Sequence, residues 1–86
     1  MVKAKFELGA TEKHLIVVDR RVRNLFMKRV IVELDGEKVV DDYHYSLKAK
    51  IVQLDVGSSE KHHVEIIAAA FSPIKVFVDG KAAQKI

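Results

Sequence analysis

The chain contains no cysteine. That excludes disulfides, thiolate nucleophiles, thiolate zinc sites and iron–sulfur clusters. Freedom from cysteine also fits a reducing compartment, and a cytoplasmic location is the expectation. Long hydrophobic runs are missing too: none approaches the roughly 20 residues of a membrane helix. The leading stretch "MVKAKFEL" alternates charge with hydrophobe and does not read as a signal peptide, so no membrane partner is expected. Glycine is scarce, with four residues standing singly at Gly9, Gly36, Gly57 and Gly80. Neither GxGxxG nor GxxxxGK(S/T) occurs, so no phosphate loop is present. Strong charge of one sign is also lacking. A net charge of +3 permits contact with nucleic acid or acidic lipid without requiring it.

What is there is an ordinary globular composition, 49% hydrophobic and 31% charged, in 86 residues. This predicts one domain over residues 1–86. A chain of this length has apolar residues for one core but not for a core and a deep catalytic cleft. Its many Lys, Glu and Val residues lean toward a thermophile-like composition.

The hydrophobic period is two almost throughout. Ala4, Phe6 and Leu8 alternate with Lys3, Lys5 and Glu7, and Val30, Val32 and Leu34 alternate with Ile31 and Glu33. Such alternation marks strands buried on one face, and the β-branched content supports it. Asp35-Gly36 and Asp79-Gly80 supply the positive φ of type I′ hairpins. Strands are predicted at about 2–8, 12–20, 27–34, 37–41, 43–48, 50–56, 60–68, 74–78 and 81–85. Residues 20–30, "RRVRNLFMKRV", and 64–71, "VEIIAAAF", also admit short helices by pattern.

An internal repeat favours strand–loop–strand for both. "FELGATEKHLIVV" (6–18) aligns with "LDVGSSEKHHVEI" (54–66), placing Gly9 on Gly57, Glu12 on Glu60 and His14 on His62. Further on, "VIVELDGEK" (30–38) aligns with "IKVFVDGK" (74–81). Repeats at about 6–41 and 54–85 give two units of strand, Gly turn, strand, loop, strand, Asp-Gly turn, strand, joined by residues 43–50. Each unit has one apolar face to cover. The expectation is an all-β fold, an antiparallel β-sandwich of about eight strands built from two related halves, with a small β-barrel as the alternative.

The repeat bears on the histidines. His14 and His62 hold equivalent positions and share a structural role more readily than one metal ion. Adjacent His62 and His63 point to opposite faces of a strand. Glu12 with His14, and Glu60 with His62, each offer two ligands where a structural zinc site takes four, so neither metal nor other cofactor is expected. Asp41-Asp42 with His44 is the densest acid–base grouping, and it reads more simply as a solvated turn. Ser46, Ser58, Ser59 and Ser72 lack a nucleophile elbow. No catalytic residue is expected.

The strongest binding signal is basic. Arg20, Arg21, Arg23, Lys28 and Arg29 flank Leu25, Phe26 and Met27 in what reads as one loop. Its cations would meet phosphates and Phe26 could stack on a base. Alternatively its hydrophobes tuck under the edge of the sandwich. Residues 68–71, "AAAF", form either an apolar contact surface or the closing corner of the core.

Taken together, Lys28-Arg29 leading into Asp35-Gly36, the aromatic "YHYSLK" (43–48), Val56-Gly57 and Asp79-Gly80-Lys81, with His14 ahead of them, resemble the Fas apoptotic inhibitory molecule family, more narrowly its N-terminal domain. The likeness runs over about residues 13–82 and rests on turns and strand patterns; the absence of tryptophan departs from it. The resemblance implies a small cytosolic β-sandwich that acts by binding, with no catalytic site to carry over. The expected function is thus a non-enzymatic protein-interaction module, meeting a protein partner or a second copy at a sheet edge. A nucleic-acid-binding module using Arg20, Arg21, Arg23, Phe26, Lys28 and Arg29 is the alternative.

Overall fold

The computed structural model of the protein describes residues 2–45, 47–68, 73–83 and 85–86. It is all-β: β1 (Val2–Leu8), β2 (His14–Val22), β3 (Met27–Leu34), β4 (Glu37–Tyr45), β5 (Lys50–Val56), β6 (His62–Ala68), β7 (Lys75–Val78) and β8 (Lys81–Ala82). Two four-stranded antiparallel sheets form, one in the order β1-β2-β3-β4 and the other β5-β6-β7-β8. The sheets pair separately and are not closed into a barrel. Among the described residues no helix is long and apolar enough to cross a membrane.

The period-two pattern explains the packing. Ala4, Phe6, Ile16, Val18, Val30 and Val32 of the first sheet and Val52, Val56, Val64, Ile66 and Val76 of the second form one buried cluster. Each sheet thereby covers the apolar face of the other, the dominant favourable contribution to folding. Both Asp-Gly pairs turn as type I′ hairpins: φ is +53° and +85° at Asp35 and Gly36, and +51° and +83° at Asp79 and Gly80.

Several boundaries differ from expectation for identifiable reasons. Residues 12–13 and 60–61 precede their strands, because the turns after Gly9 and Gly57 are longer than three residues. The segments 37–41 and 43–48 are one strand, β4, and only residues 46–49 connect the sheets. Asp41 and Asp42 continue the ladder opposite Ile31 and Val30. A register shift between Val32 and Glu33 absorbs the break in alternation around Val39-Val40. The sequence 20–30 holds no helix and is not one loop: β2 runs through Val22 and β3 starts at Met27, leaving residues 23–26 as the connection. At the far end β8 stops at Ala82, and Lys85 instead bridges to Phe6 on β1, with the Ile86 N–H donating to the Lys5 carbonyl at 2.9 Å. Of the 68–71 run, Ala68 is fully buried in the core. The rest of that run lies outside the described residues.

Candidate interaction surface

The aligned motifs "GATEKH" and "GSSEKH" form the turns β1–β2 and β5–β6, and they are joined to one another. The Glu60 carboxylate accepts the N–H groups of Ala10 and Thr11 at 2.8 Å and of Glu12 at 3.0 Å, and the Thr11 hydroxyl at 2.6 Å. In return Glu12 accepts the N–H groups of Ser58 (3.0 Å) and Ser59 (3.2 Å) and both serine hydroxyls at 3.0 Å. Successive N–H groups in such turns converge as an anion-binding nest. Gly9 and Gly57 make the bend at φ of +98° and +103°. The two sheets are thus tied at this end by an exchange of carboxylates.

Each histidine backs one of these carboxylates. His14 places Nε2 2.7 Å from Glu12 and Nδ1 2.6 Å from Asp35. His62 does the same with Glu60 at 2.8 Å and Asp79 at 2.6 Å. A carboxylate at both ring nitrogens requires donors at both, hence the imidazolium form. Asp35 beside His14, then Glu12, holds its pKa above the ordinary range. Asp79, then Glu60, does so for His62. Glu12 is held down to about 2, chiefly by His14 and then by the serine N–H groups. Glu60 is likewise held well below the carboxylate range, chiefly by the Thr11 hydroxyl. An imidazolium clamped between two carboxylates has no free base to offer. Among the described residues no group of three or more His, Asp or Glu side chains could hold a metal ion.

The Asp41-Asp42-His44 grouping does not assemble. Asp41 takes a two-pronged contact from Arg29, at 2.7 and 2.5 Å, with Lys38 at 3.2 Å. Asp42 pairs with Lys50 at 2.7 Å. His44 is buried and its Nδ1 donates to the Lys48 carbonyl at 2.8 Å. Ser58 and Ser59 are spent on Glu12, while Ser46 and Ser72 lie outside the described residues.

The end of the β2–β3 hairpin differs from the rest of the surface. At this end the hydrophobic core stops at Val18 and Val30, so the last residues of β2 and the first of β3 project beyond it. Leu25 is 83% exposed, Phe26 70% and Leu47, just after β4, 82%. The hydrophobes therefore do not tuck under the sandwich edge. Their loop is nonetheless fixed: the Asn24 side-chain oxygen accepts the N–H groups of Phe26 and Met27, both at 2.9 Å, and the Arg23 N–H reaches the Met27 carbonyl at 3.0 Å. This Asx-type turn presents Leu25 and Phe26 outward. With Val22, Asn24, Lys28, Tyr45 and Leu47 they line an apolar hollow of about 540 Å³.

The cations do not share one patch. Strand alternation puts Arg20 and Lys28 on the face toward the second sheet and Arg21 and Arg29 on the other. Arg21 and Arg29 are directly opposed across β2 and β3. Arg21 binds Asp19 through Nε at 3.2 Å and a terminal nitrogen at 3.0 Å. Arg23 lies over the Tyr43 ring at 5.2 Å from its centre, with the hydroxyl at 3.5 Å. Arg21, Val22, Arg23, Arg29 and Tyr43 line a second hollow of about 280 Å³. Of the six residues singled out in the sequence, five thus gather at this end in two neighbouring hollows, Phe26 with Lys28 in one and Arg21, Arg23 and Arg29 in the other, while Arg20 lines neither.

Sequence reasoning missed Leu47, Tyr45 and Val22 as members of the surface, and Tyr43 as the partner of Arg23. The legible signal was the apolar run 25–27 between charges. Nothing in the sequence joined it to the residues that follow β4. Comparison with protein-family models, with curated proteins and with solved structures found no match to this chain.

Proposed function

We propose that this protein is a small non-enzymatic interaction module that docks a protein partner at the end of the β2–β3 hairpin. One observation carries the reading: Leu25 and Phe26, held out by a hydrogen-bonded turn, stand in solvent with Leu47 around an apolar hollow. Apolar side chains exposed together mark contact surfaces. A turn ordered before binding removes part of the entropic cost of association. The resemblance to the N-terminal domain of the Fas apoptotic inhibitory molecule family supports a binding role without chemistry of its own. His14 and His62, with Glu12 and Glu60, are engaged in joining the two turns.

Selection of displayed random peptides against the wild-type chain tests this. Sequences enriched on the wild type and lost on a Leu25→Ser, Phe26→Ser double variant are the expected outcome. Enrichment indifferent to that variant, or none at all, would remove the hairpin end as the docking surface. Sedimentation of the same variant beside the wild type separates self-association through this surface from capture of a different partner.

A further inference from the structure

We infer that the hairpin end takes an acidic peptide segment, its apolar side chain in the hollow beside Phe26 and its carboxylate on the arginine face around Arg23. This rests on the hairpin end being the docking surface and adds the chemistry of what docks there. The two hollows share Val22, so one extended segment can reach both.

The charges on the outer face are unbalanced in a telling way. Arg21 and Arg29 stand directly opposite one another, an arrangement that is unfavourable between like charges. Each is compensated from one side, Arg21 by Asp19 and Arg29 by Asp41. Arg23 completes the set, and among the described residues it meets the ring and hydroxyl of Tyr43 but no carboxylate. It lines the same hollow as the other two. Three guanidinium groups against two carboxylates leave room for one further anionic group, and a guanidinium receives a carboxylate in two-pronged fashion.

A nucleic acid strand fits less well. Its phosphates recur along the chain and call for a continuous track of cations. Here Asp19 and Asp41 interrupt the arginine face, and Arg20 lines neither hollow. An acidic side chain near an apolar anchor needs one anion site and one hollow, which is what the hairpin end holds.

The test uses two capped peptides of about 12 residues, each with a central Phe and Leu, one flanked by Glu and the other by Lys. Each is titrated into the labelled full chain by heteronuclear NMR, at low salt and at about 0.3 M. The acidic peptide should shift the amides of Val22, Leu25 and Phe26 together with the side-chain N–H signals of Arg21 and Arg23. It should bind about tenfold more tightly than the basic one, as two or three exposed ion pairs allow. Arg23→Glu should bring that ratio to about one or below while shifts at Phe26 persist. The spectrum of the free variant checks directly whether the fold is kept. Equal binding of both peptides at the hairpin end would overturn the acidic assignment and leave the docking surface standing. Failure of both peptides to move these signals would also overturn it, whereas the docking surface itself fails only on the display selection. A thymidine oligonucleotide that binds the same residues more tightly, and loses affinity steeply with salt, would replace the peptide with nucleic acid.

Discussion

His14 and His62 each serve two carboxylates, and only the charged ring can donate to both. Their pKa values are raised from the ordinary 6.5 by Asp35 and Asp79 first and by Glu12 and Glu60 second. Protonation is therefore favoured by folding, and the stability it contributes is complete below pH 6.5 and fades as pH rises through the raised values. Glu12 and Glu60 work the other way. Their values lie below the ordinary 4.5, so their contribution is complete above it and is lost as pH falls, for Glu12 toward about 2. The thermal midpoint should be highest between pH 4.5 and 6.5 and fall on the alkaline side. A His14→Gln, His62→Gln double variant should lose that alkaline fall. A wild-type profile that stays flat through neutrality and above would contradict the clamped imidazolium.

The glycines at the same turns give a second residue-scale prediction. A Cβ on Gly57 would lie 1.9 Å from the Glu60 carbonyl oxygen and 2.7 Å from a Glu12 carboxylate oxygen, whereas one on Gly36 meets nothing within 4 Å. Gly36→Ala carries only the left-handed backbone penalty, about 1–2 kcal/mol. Gly57→Ala carries that, the clash with the Glu60 backbone carbonyl and the displacement of the Glu12 carboxylate. Chemical denaturation should rank Gly57→Ala clearly below Gly36→Ala, and equal losses would argue against the close approach of the turn backbone at Gly57.

Among the elements, the strands carry stability and the hairpin end carries recognition. Ile66 is fully buried on β6 between Val52 and Val76, so Ile66→Ala should cost about 2–5 kcal/mol in denaturant unfolding. Phe26→Ser, at an exposed turn position, should change stability by no more than about 0.5 kcal/mol. A large loss at Phe26 would mean that its ring belongs to the fold and not to a partner. The contrast also shows what a sequence can disclose at this level. Alternation at Ala4-Phe6-Leu8 and Val30-Val32-Leu34 and the two Asp-Gly turns are local signals, and they located strands and hairpins within a few residues. The Asp41-Asp42 pair read as a break because charge usually ends a strand. On the edge strand β4 both side chains find cations, so the ladder continues. The five basic residues read as one patch because adjacency was weighed before the alternation that divides them. The carboxylates crossing from one Gly turn to the other depend on two distant segments meeting, and no local pattern contains that.

At the level of the whole molecule, the open edges are unequal. β1 is partly covered by Lys85 and Ile86, and β8 is only two residues long. β4 and β5 are the long edges, and both display charge: Lys38, Asp41 and Asp42 on one, Lys50 and Asp55 on the other. Charged edges discourage strand-to-strand association. Each sheet is nevertheless incomplete alone, with one apolar face and one turn whose N–H groups await a carboxylate from the other. A chain divided between Lys48 and Ala49 should yield two fragments that are poorly structured apart and recover the native spectrum when mixed in equal amounts. Adding Glu12→Ala to one fragment and Glu60→Ala to the other should weaken that recovery. Fragments that fold as stable monomers alone would show the exchange to be incidental.

The same reciprocity has a further consequence. The bonds between the two turns are satisfied equally whether both halves come from one chain or from two. A dimer in which each chain lends its second half to the other would keep every one of them, and only the connection at residues 46–49 favours closure within a chain. Lengthening or stiffening that connection is therefore a lever on domain swapping that leaves the core and both turns untouched.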